Sequence, residues 1–106
     1  MPQATTFTLV RVAPGATANV VVSATGAIKA SPGTVYAIKV LNPGTAGAFS
    51  LINATAPATL TASNVVCYLP YTALTRGQLI PLNAACNVGI SCENIPTGGS
   101  IEVVYA

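Results

Sequence analysis

Thr34-Val35-Tyr36-Ala37-Ile38-Lys39-Val40-Leu41 decides the fold class. The run is rich in β-branched and aromatic residues, which suit a pleated, half-buried surface. Read with a strict period of two, Tyr36, Ile38 and Val40 fall on one face and Ala37 and Lys39 on the other, so the first face is expected in the core and the second toward water. Turn residues close the run on both sides. Ser31-Pro32-Gly33 precedes it and Asn42-Pro43-Gly44 follows. In each, proline presets φ for one turn position and glycine accepts a positive φ at the next.

The same grammar extends outward in both directions. Upstream stand Phe7–Val12, closed by Pro14-Gly15, then Asn19–Ser23 and Ala27–Ala30. Downstream come Phe49–Asn53, a weakly strand-like Ala/Thr/Pro stretch over 54–63, and Val65–Leu69, closed by Pro70. A loop with room for one helical turn is expected over 71–77. Gln78–Leu82 carries Pro81, which has no N–H to give a ladder and predicts an edge strand or a bulge. Val88–Cys92 alternates Val88, Ile90 and Cys92 inward. Ser100–Tyr105 closes the chain with Ile101, Val103 and Tyr105 inward and Glu102 outward. No window has the helical spacing of apolar residues. About eight short strands at intervals of roughly 8–12 residues predict an all-β chain, a single antiparallel β-sandwich of jelly-roll or Ig-like topology. Residues 7–106 form that domain. Residues 1–6, small or polar and without an apolar anchor, form a flexible N-terminal arm.

Composition narrows the function. The chain has 106 residues, 52% of them apolar and only 6% charged, against about 25% charged in an average soluble domain. A free monomer normally stays dispersed through charge. A neutral Ala/Thr-rich surface is better suited to being covered by neighbours, the alternative being a monomer with a Thr-rich sheet face. The net charge is +2, and Arg11, Lys29, Lys39 and Arg76 are scattered, so the clustered basic face of a nucleic-acid binder is missing. No run approaches the ~20 apolar residues of a membrane span. The amino terminus lacks the basic-then-apolar pattern of a signal peptide, which points to assembly in the cytoplasm.

No catalytic set is legible. There is no His and no Asp, so a nucleophile has no evident base beside it. Glu93, expected in a loop, and Glu102 could meet only as a pair across a hairpin. That places two like charges opposite each other, and two solvated glutamates are the plainer reading. No phosphate-cradling glycine motif is present. Cys67, Cys86 and Cys92 cannot supply a four-ligand zinc site, so no metal and no cofactor is expected. In a chain without a secretion signal they read as free, buried thiols, with a Cys86–Cys92 bridge as the alternative. Asn53-Ala54-Thr55 matches the glycosylation sequon and reads as coincidence.

The stretch VSATGAIKASPGTVYAIKVLNPG, residues 22–44, resembles a group of small tailed-phage structural proteins. The shared pattern is Thr-Gly-apolar-Lys-Ala over Thr25–Ala30, the Pro32-Gly33 turn, the alternating run to Val40, and the Asn42 turn. IPTGGSIEVVYA, residues 95–106, is similar to the closing strand of such proteins. The resemblance covers about a third of the chain, and residues 54–94 lie outside it. It implies a β-sandwich component of a virion. The first expectation is a capsid decoration (cement) protein, a homotrimer on the outside of the head whose partner is the major capsid protein. Another virion part (neck, baseplate or fibre base) is the alternative. A carbohydrate-binding module is weaker, with no Trp and four Tyr, and an enzyme weaker still. Candidate contact residues are Pro2, Gln3, Ala4 and Thr5 of the arm, together with Arg11 and Arg76, since isolated arginines on a neutral surface suit carboxylates on a partner. The alternative for each is an ordinary solvated side chain.

Overall fold

The computed structural model describes residues 18–106. The arm and the Phe7–Val12 run therefore lie outside the described residues. Eight strands follow one another: β1 (Ala18–Val22), β2 (Gly26–Lys29), β3 (Gly33–Asn42), β4 (Ala48–Ile52), β5 (Val65–Pro70), β6 (Leu79–Cys86), β7 (Ile90–Asn94) and β8 (Ser100–Tyr105). A single 3-10 turn, Tyr71–Ala73, lies between β5 and β6. Each strand overlaps one of the runs marked off by Gly, Pro and Asn, with β6 running on past Leu82 to Cys86 and β7 displaced two residues toward the carboxyl end. The stretch 54–63 is a loop.

The strands form two four-stranded antiparallel sheets, ordered β1-β8-β3-β6 and β2-β7-β4-β5. The pairings nest: β1 with β8, β2 with β7, β3 with β6 and β4 with β5. A long hairpin, β1 to β4 running out and β5 to β8 running back, has been folded over itself. This is the jelly-roll arrangement, and it decides between the two topologies the sequence left open. Short connections (23–25 between β1 and β2, 43–47 between β3 and β4, 95–99 between β7 and β8) join strands in opposite sheets. They stack β1 on β2, β8 on β7 and β3 on β4. By the same logic the outer strands β6 and β5 share the remaining side.

The core lies between the sheets. Val35, Ile38 and Val40 of β3 and Ile101 and Val103 of β8 meet Phe49 and Leu51 of β4 and Ile90 and Cys92 of β7, all fully buried. Leu74, just after the 3-10 turn, joins the same cluster and closes the β5–β6 end. Each large side chain taken from water here contributes roughly 1.5–3 kcal/mol. With so few charges, that burial carries the fold.

The structure departs from the alternation read in the sequence around Tyr36 and at Val88, and Ala37, expected toward water beside Lys39, is buried at 2% exposure. Tyr36 is only half-buried, and Val35 takes the core position. The register slips between Val35 and Ala37 against both neighbours, so Tyr36 is the extra residue of a β-bulge facing β8, and the alternation changes phase there. On the β6 side the irregularity falls at Leu82 and Asn83, and Asn83 adopts φ 49°. Asn is among the few side chains that tolerate this left-handed conformation. Pro81 sits two residues away in a strand that, among the described residues, pairs only with β3, so the expected edge strand and the bulge are both present. Val88 is a further difference. It is exposed in the β6–β7 turn, whereas Ile90 and Cys92 point inward.

Gly44 fixes one end of the sandwich. Its φ is +79°, a region closed to most side chains, and the Asn42 side-chain oxygen accepts its N–H at 3.0 Å. Beyond it, Thr45 N–H donates to the Thr97 carbonyl at 3.0 Å and Thr97 N–H to that of Ala46 at 2.9 Å. The β3–β4 and β7–β8 turns thus hold each other.

Candidate functional site

The cysteines come first, as the most nucleophilic side chains present. All three are free thiols. Cys67 on β5 and Cys92 on β7 flank Leu51 of the intervening strand. They are two strand spacings apart, about 9–10 Å, which is too far for a disulfide. Cys86 lies in the opposite sheet from Cys92, and the two thiols are not bonded to each other. Burial pushes the Cys67 thiol up to about 11. Cys92 is likewise raised to about 11, by burial first and by its neighbour Cys67 second, and burial raises Cys86. A thiol held protonated in this way is a poor nucleophile.

This has a measurable consequence. The unfolded chain releases the Cys67 and Cys92 protons near pH 9 and the folded chain nearer 11. Between those values the folded state binds more protons, so stability falls as pH rises; below pH 9 the contribution is fully present. The urea midpoint is expected to drop across pH 9–11, and by less in Cys67→Ala. At pH 8 a thiol reagent should react slowly with the native protein and take up three equivalents in denaturant. Fast native reaction at all three thiols would contradict the burial described here.

The two glutamates do not form a pair. Glu93 lies in strand β7 and not in a loop, and Glu102 lies in β8 of the other sheet, so no hairpin joins them. Glu102 faces Lys39 and Val21 across the ladders and accepts a hydrogen bond from the Asn19 amide. Among the described residues no three His, Cys, Asp or Glu side chains come together as metal ligands. No helix there is long and apolar enough to cross a membrane. Among the described residues a shallow hollow of about 310 Å³ lies at the β1–β2 corner, lined by Val20, Val21, Val22 and Ile28 among others.

Of the contact residues nominated from sequence, Pro2, Gln3, Ala4, Thr5 and Arg11 lie outside the described residues. Arg76 stands exposed in the turn before β6. One guanidinium nitrogen donates to the Leu41 carbonyl at 3.0 Å, and Gly77 N–H donates to Val40 at 2.6 Å. The turn is thereby strapped to the end of β3. Among the described residues Leu41 is the hydrogen-bond partner of one nitrogen of a fork that carries five N–H donors.

Sequence reasoning missed a polar hub at Asn53. Its side-chain oxygen accepts the N–H groups of Val88 and Gly89 at 2.9 and 3.2 Å, and its amide nitrogen donates to Asn87 at 2.7 Å. Ser91, fully buried, donates to the Ala54 carbonyl at 2.9 Å. The sequon asparagine is therefore committed to tying the β4–β5 loop to the β6–β7 turn. A strand-ending Asn was the available signal, but its partners lie 34–36 positions away.

Val21, Val65, Tyr68, Leu79 and Val88 are the large hydrophobic side chains exposed among the described residues. Three of them, Val65, Tyr68 and Leu79, belong to the edge strands β5 and β6. The chain matches no protein-family model, no curated protein and no solved structure.

Proposed function

We propose that this chain is a capsid decoration protein. It binds the outside of a tailed-phage head as a homotrimer and stabilises contacts between major capsid subunits, and no catalytic step is assigned to it. The observation that carries the reading is a rigid jelly roll whose surface is nearly free of charge and whose edges expose apolar side chains. Such a surface suits permanent cover by neighbours better than free solution. Many symmetric copies on a lattice add weak contacts into firm attachment. The resemblance supports it as well. The segments 22–44 and 95–106, far apart in sequence, contain β3 and β8, which lie side by side at the centre of one sheet. Jelly rolls also serve as lectin domains and cupins, so the fold by itself does not choose the function.

The arm supplies the test. Six extended residues reach at most about 20 Å, enough to cross a seam between subunits. Deleting residues 2–5 is expected to leave the thermal midpoint of the isolated protein nearly unchanged and to weaken attachment to purified heads, read by co-sedimentation. Undiminished occupancy with the truncated chain would remove the arm from the contact and leave the sandwich surface to make it.

A further inference from the structure

The side of the sandwich formed by β1 and β2 is open among the described residues. β1 ends its sheet and pairs there with β8 alone. In an antiparallel pair, alternate residues turn both N–H and C=O away from the partner, so part of the β1 backbone faces outward along this edge. Val20 and Ile28 pack against the core yet remain only partly buried. The hollow of about 310 Å³ lies beside them, and Val21 is 55% exposed. Edges are normally guarded by charge, proline or a bulge, and β1 reads Ala-Asn-Val-Val-Val with an unbroken register against β8.

A strand-like run stands immediately upstream. Residues 7–12 read Phe-Thr-Leu-Val-Arg-Val, and Ala13-Pro14-Gly15-Ala16-Thr17 separates them from Ala18. Five residues that include Pro-Gly make an ordinary hairpin connection. We infer that the run 7–12 completes this edge, pairing antiparallel with β1 of its own chain as a fifth strand of that sheet.

The register follows from the connection and from the faces. Val12 opposite Ala18 leaves the five residues as the turn and sets Arg11 opposite Asn19, Val10 opposite Val20, Leu9 opposite Val21 and Thr8 opposite Val22. Val20 and Val22 belong to the inner face, so Val10 joins them and covers the hollow beside Ile28. Leu9 joins Val21 on the outer face. Charge selects the same register. The Asn19 amide donates to Glu102, which holds that carboxylate on the β1 side of β8. Arg11 opposite Asn19 has that carboxylate within reach of its long side chain. A slip of one residue would turn every side chain over and carry Arg11 to the inner face, where a cation without a partner is costly. The chain's own segment is the occupant because a short tether holds it at this edge at an effective concentration on the order of millimolar.

An antiparallel strand placed here returns its amino end to the Val22 end of the sheet. Val22 is level with Ile101 and Val40, and Arg76 stands at that same end, bonded to Leu41. Residues 1–6 thus leave the sandwich at the end that carries Arg76, and the two contacts nominated separately from sequence share one surface. Only this use of the placement rests on the proposed function. The pairing itself does not.

Leu9→Cys combined with Val21→Cys tests the pairing on the isolated protein. Opposed residues of an antiparallel pair have Cα atoms about 4.5–5.5 Å apart, within disulfide range. In a glutathione redox buffer at low micromolar protein, one new disulfide within single chains is expected, mapped to positions 9 and 21. Leu9→Cys combined with Leu79→Cys, on the opposite edge strand β6, should stay reduced. Covalent dimers joined through 9 and 21 would overturn the inference by giving the edge to a second copy. Equal oxidation of both variants, or of neither, would overturn it too. Hydrogen exchange of the wild-type protein reads the pairing without any substitution. Every β1 amide, including those turned away from β8, should exchange at least about a hundredfold more slowly than an unstructured amide. Alternate β1 amides exchanging at the unstructured rate would contradict the fifth strand. Neither measurement involves heads, so a failure of decoration leaves both results standing.

Discussion

Phe49→Ala is expected to cost about 3–5 kcal/mol, the range for removing a large aromatic side chain from a closed core. Phe49 is fully buried in β4, between β5 and β7, and packs against β3 and β8 of the facing sheet. No neighbour can collapse into its place easily, because the side chains around it (Ile38, Val40, Leu51, Ile101) sit in strands whose register is fixed on both sides. A domain of this size has only about 5–15 kcal/mol in hand, so the variant should be marginal at 37 °C. Chemical denaturation checks it. A loss below 1 kcal/mol would mean that the two sheets do not close on Phe49.

Gly44→Ala should be nearly as damaging, for a different reason. A methyl group there would lie 2.7 Å from both the Pro96 Cβ and the Thr97 carbonyl oxygen. To this is added the cost of a side chain at φ +79°, about 1–2 kcal/mol. Because the Thr97 carbonyl is also the acceptor that joins the two turns, relief of the clash means breaking that link. The expected loss is about 3 kcal/mol or more. Gly77→Ala is the matched control. Its φ is +83°, but nothing lies within 4 Å of the added methyl, so only the conformational cost remains, about 1–2 kcal/mol. Equal losses at the two positions would show that the turn–turn contact at Gly44 is not made.

Strand positions were legible because Pro32-Gly33, Asn42-Pro43-Gly44 and Pro96-Thr97-Gly98-Gly99 punctuate the chain in ways that depend only on local φ preferences. Edge status was legible for β6 because Pro81 lacks a donor. The face taken by Tyr36 was not legible. A bulge arises from the register of β3 against two partners, and those partners, β6 and β8, lie far along the sequence. The nested pairing of β1 with β8 is invisible for the same reason: Asn19 and Glu102 stand 83 positions apart. Alternation and turn residues define strands, and they leave the order of strands open. The candidate surface followed that limit. Arg76 could be nominated from its isolation in sequence, whereas the uncharged β5–β6 side exists only once strand order places two edges on one side. Val65–Leu69 read as an apolar run without any sign that it would be an edge. The resemblance implied a β-sandwich, and the structure has one.

Decoration of a capsid is the central claim, and copy number tests it most directly. Quantitative mass spectrometry of purified phage particles from the source of this sequence, with the major capsid protein as internal reference, gives that number. Decoration predicts copies in a fixed ratio to the major capsid protein and of the same order, released together when heads are disrupted. A handful of copies per particle would assign the chain to a neck, baseplate or fibre base, and none would remove it from the virion altogether.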